Sequence, residues 1–263
     1  MMKSLYTAAT GMLANQTQVD TTANNLANVD TTGFKRSEVQ FQDLLYQTVR
    51  APGTYGATGF EIPTGIQIGS GVRTAAITKV FTDGVEESTG NNYDVAIQGQ
   101  GFFQVLLPSG DFAYTRDGTF RPNSTGQLVT ADGFLLQPPI TVPIDTLQVT
   151  IGIDGTVSVI SGSNPTQTTI VGNISLTRFP NPSGLSSEGR NLYGQTTTSG
   201  AALQGVPGSQ GFGVLQQGFL ELSNVQVVNE MISLITAQRA FEASQRAVLT
   251  SDQMLQDSND MVR

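Results

Sequence analysis

The sequence predicts an α+β protein. Long amino- and carboxyl-terminal α-helices form a coiled-coil-like pair, and a mostly antiparallel β domain with an extended connector is inserted between them. Three observations predict this. Apolar residues recur every seven positions at both ends of the chain, short β-type runs punctuated by Asp-Gly fill the middle, and one glycine- and proline-rich stretch follows neither period.

The first helix rests on Leu5, Met12, Val19 and Leu26, seven residues apart, with Ala8, Ala9, Leu13, Ala23 and Ala27 beside them. The carboxyl end keeps the period for longer, in Val227, Leu234, Phe241, Val248, Leu255 and Val262. A sustained seven-residue period is the seam of a coiled coil. Three positions beyond the first five of these stand Glu230, Ala237, Ser244, Ser251 and Ser258, mostly small, which lets a neighbouring helix approach closely. A helix over 224–261 is about 55 Å long, whereas a compact domain of about 150 residues is about 40 Å across. It should project beyond the middle of the molecule. Two helices zipped along one stripe are marginal against the entropy of ordering them. The seam residues are therefore expected to pack subunit against subunit. An ordinary monomer, with its terminal helices laid on its own core, is the alternative.

Between the ends the texture is β. Val95–Ile97 and Phe102–Leu107 are strand-like, and Pro108-Ser109-Gly110-Asp111 is a turn into Phe112–Thr115. Leu147–Ile153, Asp154-Gly155 and Thr156–Ile160 read as a hairpin with a tight primed turn. Asp-Gly recurs at 83–84, 117–118, 132–133 and 154–155, which suits many short strands. Between Arg50 and Gly71 stand Pro52, Pro63 and glycines 53, 56, 59, 65, 69 and 71. The predicted organisation is a helical domain over 1–33 and 222–263, an extended connector over 34–72 and a β domain over 73–221.

Composition removes most chemistry. His, Cys and Trp are absent, so no imidazole base, thiol nucleophile, Ser-His-Asp triad or structural zinc site can form. The lysines Lys3, Lys35 and Lys79 close no phosphate loop of the GxxxxGK[ST] type. Gly99-Gln100-Gly101 precedes a strand and lacks the third glycine and helix of a dinucleotide loop. Asp111, Asp117, Asp132 and Asp154 could supply the two carboxylates of a glycan hydrolase, but turn formation is the commoner use of Asp before Gly. No cofactor or metal is expected. With 21 acidic against 13 basic residues the net charge is -8, which repels phosphate backbones and anionic lipid, so no nucleic-acid partner is expected. Charged residues are 13% of the chain, about half the usual share, and a surface so poor in charge suits the crowding of copies. Ser4–Gly11 is too polar for a signal peptide and no 18-residue apolar run exists, so neither a cleavable secretory signal nor direct membrane insertion is expected.

The stretch Ala23-Asn24-Asn25-Leu26-Ala27-Asn28-Val29-Asp30-Thr31-Thr32-Gly33-Phe34-Lys35-Arg36 resembles the amino-terminal signature of the bacterial flagellar rod and hook proteins. Gln217-Gly218-Phe219-Leu220-Glu221-Leu222-Ser223-Asn224-Val225, followed by Ala237-Gln238-Arg239-Ala240-Phe241-Glu242, resembles the matching carboxyl-terminal signature. Within that family, Tyr46–Gly53 and Gly65–Val72 are similar to the distal-rod members. Gln98–Val105, Tyr114–Gly118 and Gln127–Thr130 extend the likeness to nearly the whole chain, apart from 54–62 and about 161–210.

The resemblance implies a structural protein rather than an enzyme. It implies export from the cytoplasm, unfolded, through the flagellar type III export apparatus, and helical polymerisation in the periplasm into a hollow distal rod that passes motor torque to the hook. Its implied partners are other copies of itself, proximal rod proteins, hook protein, and the surrounding P-ring and L-ring proteins. The terminal helices would line the tube and the β domain would form its outer wall. Gly33 would be the hinge after the first helix, since Gly accepts dihedrals other residues avoid. Pro52, Tyr55, Phe60, Ile62 and Pro63 would anchor the connector along the tube and stiffen it. Hook protein and a proximal rod subunit are the alternatives within the family, and a carboxylate-dependent cell-wall glycan hydrolase is the alternative outside it.

Overall fold

The computed structural model describes residues 2–52, 64–162, 167–209 and 211–261. The chain divides into two units, one of Met1–Ala27, Ser37–Thr78 and Gln226–Arg263, the other of Asn28–Arg36 and Lys79–Val225.

The first unit holds the two helices, α1 over Met2–Ala27 and α2 over Val227–Asp260. Threonines weaken α1 on propensity alone. Several return their hydroxyls to the preceding turn: Thr7 donates to Lys3 O at 2.9 Å, Thr17 to Leu13 O at 3.0 Å and Thr21 to Thr17 O at 2.8 Å. The helices lie antiparallel. The hydroxyls of Ser4 and Ser251 are 3.5 Å apart, a Cβ on Gly11 would sit 3.4 Å from Ser244 Oγ, and the Asn25 amide donates to Glu230 Oε2 at 3.3 Å. Each contact is displaced by seven residues, or a multiple of seven, from the last. That is the predicted period, carried by the small and polar neighbours of the predicted apolar seam.

Four strands complete this unit: β1 (Ser37–Asp43), β2 (Gln47–Arg50), β3 (Ile66–Ile68) and β4 (Val72–Lys79). The segment expected as a connector over 34–72 is thus largely paired. β1 pairs with β4 and β2 with β3, and the Leu44 N–H donates to Gly71 O at 2.9 Å while Arg73 reaches Gln42 at 3.1 Å. The expectation failed because every residue of β2 and β3 is exposed, so no alternation marks them, and backbone pairing alone makes the ladder. The same pairing moves the domain boundary. β4 belongs with the helices rather than with the β domain, and residues 28–36 belong with the β domain. Pro52 is exposed at the end of β2, whereas Tyr55, Phe60, Ile62 and Pro63 lie outside the described residues.

The second unit is antiparallel β. In chain order its strands are β5 (Glu86–Ser88), β6 (Val95–Gln98), β7 (Phe103–Leu106), β8 (Phe112–Thr115), β9 (Arg121–Pro122), β10 (Leu128–Val129), β11 (Leu135–Gln137) and β12 (Thr146–Ile151). They continue as β13 (Thr156–Ser161), β14 (Thr168–Asn173), β15 (Leu176–Arg178), β16 (Ser186–Gly189), β17 (Leu192–Gly194), β18 (Leu203–Gly205), β19 (Val214–Gln217) and β20 (Phe219–Glu221). One sheet runs β16-β17-β8-β7-β11-β10-β9 and a second β12-β13-β14, with β15–β18, β19–β6 and β20–β5 as pairs. The second sheet shows why it forms: Val157 and Val159 are buried while the residues between and beside them are not. With Phe103, Phe120, Leu136, Ile140, Ile174 and Leu215 they close the main core.

The β12–β13 loop differs from its expected primed turn. Gly155 N–H bonds Gly152 O at 3.0 Å and Gly152 N–H bonds Thr156 O at 2.9 Å, with Gly155 at φ +85°. This is a longer turn closed by a left-handed glycine. Asp154 accepts the Thr156 N–H at 3.1 Å, which fixes the turn.

Candidate functional site

In the helical unit, Leu5, Met12, Val19, Leu26, Leu234, Phe241, Val248 and Leu255 are half-buried, Val227 is exposed, and Val262 lies outside the described residues. The tightest burial falls beside the stripe, three positions beyond it on Glu230, Ala237 and Ser251 of α2 and within one to three positions on Ala14, Thr21, Thr22 and Asn25 of α1. The helices close on small and polar residues, and the apolar stripe is left half open beside that line. Val19 and Phe241 border a groove of 420 Å³ between α1 and α2, with Gln16, Gln238 and Glu242.

A second apolar face was not foreseen. Val228, Met231, Ile232 and Ile235 lie on one side of α2, all exposed, Val228 at 70%. Their i, i+3, i+4, i+7 spacing is an amphipathic signal that the seven-residue pattern masked. Tyr6 and Leu13 are exposed on α1.

Asn25 joins α1 to β1. Its side chain accepts the Ser37 N–H at 2.8 Å and donates to Ser37 O at 2.8 Å, besides its bond to Glu230. An amide bonded on both edges has one rotamer available, so the turn from helix to strand is specified by a single side chain.

In the β unit the two signature segments meet in a buried polar knot. Lys35 Nζ lies 2.5 Å from Glu221 Oε1 and donates to Thr82 O at 2.6 Å. Arg116 Nη1 is 3.2 Å from Glu221 Oε2, and Arg116 also donates to Gly99 O at 2.7 Å and Ile97 O at 3.3 Å. The Gly84 N–H supplies Glu221 with a further donor at 3.0 Å. Lys35, Arg116 and Glu221 are buried, while Asp83, 3.5 Å from Arg116, is half exposed. Burial holds the Lys35 ammonium below the usual lysine range, and the facing Glu221 carboxylate pulls it back up. Beside the knot, Asn224 accepts the Arg36 N–H at 2.8 Å and donates to Val80 O at 2.8 Å.

Gly33 lies against this knot. Its φ of +67° is the left-handed conformation expected of a glycine bend. It is not a free hinge. Its N–H donates to Glu221 O at 2.8 Å, and a Cβ there would come within 2.7 Å of Asp117 N. The bend is locked by the backbone packed against it.

None of Asn25, Lys35, Arg116, Glu221 and Glu230 was picked out from sequence as a site residue. Asp111, Asp117, Asp132 and Asp154 are separate turn residues; Asp117 caps its own turn by accepting the Thr119 N–H at 3.1 Å.

The comparisons fit this arrangement. A family model for flagella basal body rod protein matches residues 5–35, one for the flagellar hook protein FlgE/F/G D1 domain matches 96–159, and one for the flagellar basal body rod FlgEFG protein C-terminal matches 216–261. The helical ends and the β unit are therefore those of the flagellar rod and hook class. The flagellar basal-body rod protein FlgG of Borreliella burgdorferi is 47% identical over 100% of both chains. FlgG of Caulobacter vibrioides is 45% identical, covering 99% of each, whereas FlgF of the same bacterium is 37% identical, covering 92% and 91%. The chain belongs to the FlgG family of flagellar basal-body rod proteins. It is a structural subunit and not an enzyme.

Proposed function

We propose that this distal-rod subunit polymerises helically through its terminal helices into a hollow shaft that carries motor torque to the hook. One observation carries the reading: the apolar face of Val228, Met231, Ile232 and Ile235 along a 34-residue helix, left without cover in the single chain. Exposed apolar stripes of this kind mark protein interfaces. The half-open stripe from Leu5 to Leu26 and Leu234 to Leu255 offers a further surface to neighbouring helices. In this reading the β unit forms the outer wall, facing P-ring and L-ring proteins, with proximal rod proteins and hook protein at the ends. The chain reaches the periplasm through the flagellar export apparatus. The higher identity to FlgG than to FlgF within one bacterium favours the distal rod over the other rod and hook types.

The connector adds stiffness. Leu45, Tyr46, Val49, Ile66 and Ile68 are exposed on and beside the β2–β3 hairpin, and they supply the anchors, with Pro52, that would be buried against neighbouring subunits. Deleting 46–63 leaves polymers that bend.

Ile232→Asp places a charge in the proposed contact, where an unpaired charge costs several kcal/mol. Motility is lost, and the purified variant stays monomeric while keeping native circular dichroism. Normal rod assembly by this variant would refute the proposed interface.

A further inference from the structure

The β7–β8 hairpin has a knob at one end and a socket at the other. At the tip, Phe112 is 52% exposed and follows Asp111. The Asp111 carboxylate accepts from Ser109 Oγ at 2.9 Å and has no cationic partner among the described residues. At the opposite end, Phe81, Phe102, Phe179 and Pro180 line a pocket of 120 Å³ with Arg116 and Arg178. Phe102 meets Phe81 and Phe179 edge-on, with ring centroids 5.5 and 5.9 Å apart. Arg178 forms no ion pair among the described residues; its guanidinium rests 5.6 Å from the Phe212 ring and donates to Gly211 O at 3.4 Å.

From this geometry we infer that the socket of one subunit receives the Asp111-Phe112 tip of a second copy, with Phe112 in the aromatic pocket and Asp111 on Arg178. The pocket is far smaller than a small-molecule site and suits one side chain. Its edge-on rings favour an aromatic guest in the same arrangement. The mouth carries an unpaired cation and the tip an unpaired anion, so the charges complement each other.

Placement adds the reason that this contact is between copies. Leu106 pairs with Phe112 at one end of the ladder and Phe103 with Thr115 at the other. Phe102 of the socket, one residue before that end, therefore lies about 13 Å along the chain from Leu106 beside the tip. Where the socket of each copy is filled by a different neighbour rather than reciprocally by one partner, such a knob and hole join copies head to tail and propagate, as a rod requires. The inference rests on the rod reading above and adds a contact between β units to it.

The chain has no cysteine, so Ser109→Cys at the tip and Gln100→Cys at the socket rim supply the only thiols. The full-length double variant is polymerised, viewed by electron microscopy and treated with a short bismaleimide. Tubes that yield a covalent ladder well beyond dimers, with each single variant stopping at dimers, support the contact. Phe112→Ala is expected to raise the critical concentration for assembly about tenfold. Tubes without a ladder, together with native assembly by Phe112→Ala, overturn the contact and leave rod assembly standing. Absence of tubes from the unaltered chain overturns self-assembly itself, and this contact with it.

Discussion

Lys35 and Glu221 stand 186 residues apart in sequence and 2.5 Å apart in the β unit. One follows the first helix in the chain and the other precedes the last. Each looks like a surface charge in its own segment, and together with Arg116 they make the most buried ionic cluster among the described residues.

Breaking that cluster at its anion is costly. Glu221→Ala leaves Lys35 and Arg116 buried with only the half-exposed Asp83 against them, and removing one partner of a buried pair typically costs about 3–5 kcal/mol. Urea unfolding of the full chain is expected to show that loss. Lys35→Met combined with Glu221→Gln loses less than Glu221→Ala alone, because fewer unpaired charges remain. The pair also decides where a fragment can be cut. The span 73–221 keeps Glu221 without Lys35, so a 28–225 fragment should be more stable by about 3 kcal/mol. Equal stability of the two would remove the knot's claimed role.

Gly33→Ala separates a locked bend from a swivel. The left-handed backbone alone costs a non-glycine residue about 1–2 kcal/mol, and the 2.7 Å approach to Asp117 N adds to it. A loss of about 2–3 kcal/mol in chemical unfolding is expected. A loss of a few tenths would restore the hinge.

Amide exchange should divide the chain in the free subunit. The helices bury only a narrow line of small residues, whereas β7 and β13 are backed by a full core. Exchange is expected to be fast along α1 and α2 and slow in those strands, and assembly should slow the helices. Helices protected as well as the strands in a verified monomer would contradict this.

Tyr193 gives the β unit an alkaline limit. Burial pushes its hydroxyl up to about 12 from an ordinary 10, with Arg116 drawing it down and Glu221 raising it. Below about pH 10 it is protonated whether folded or not; above that only the unfolded chain ionises. Stability therefore falls between pH 10 and 12, by about 2–3 kcal/mol in all. Tyr193→Phe should flatten that slope in pH-dependent urea unfolding, and an unchanged slope would assign it to other groups.

The helices were legible because a seven-residue period survives in any context, and the β texture because turns and alternation are local. The exposed strands β2 and β3 bury neither face, so their residues carry no pattern to read. The knot was illegible for another reason: a lysine in Phe34-Lys35-Arg36 and a glutamate in Leu220-Glu221-Leu222 announce burial only once the topology has brought them together. In the helices the close approach occurs at Gly11, Ser244 and Ser251; the two serines were legible as small positions three residues beyond the α2 stripe, whereas nothing in the sequence singled out Gly11. Val228, Met231, Ile232 and Ile235 were readable from their spacing, but the longer heptad register runs through the same turns.

The long loop closed by Lys35 and Glu221 has a consequence for timing. If the chain is exported amino end first, as the proposed function has it, the cation emerges first and its counter-charge only 186 residues later. Until then the ammonium has no reason to leave water, and β20, which brings Glu221 beside Gly33, has not arrived. The β unit therefore cannot complete its buried ion cluster on a partly emerged chain. On the proposed export route such late completion would keep a subunit from maturing inside the passage and blocking it for those behind.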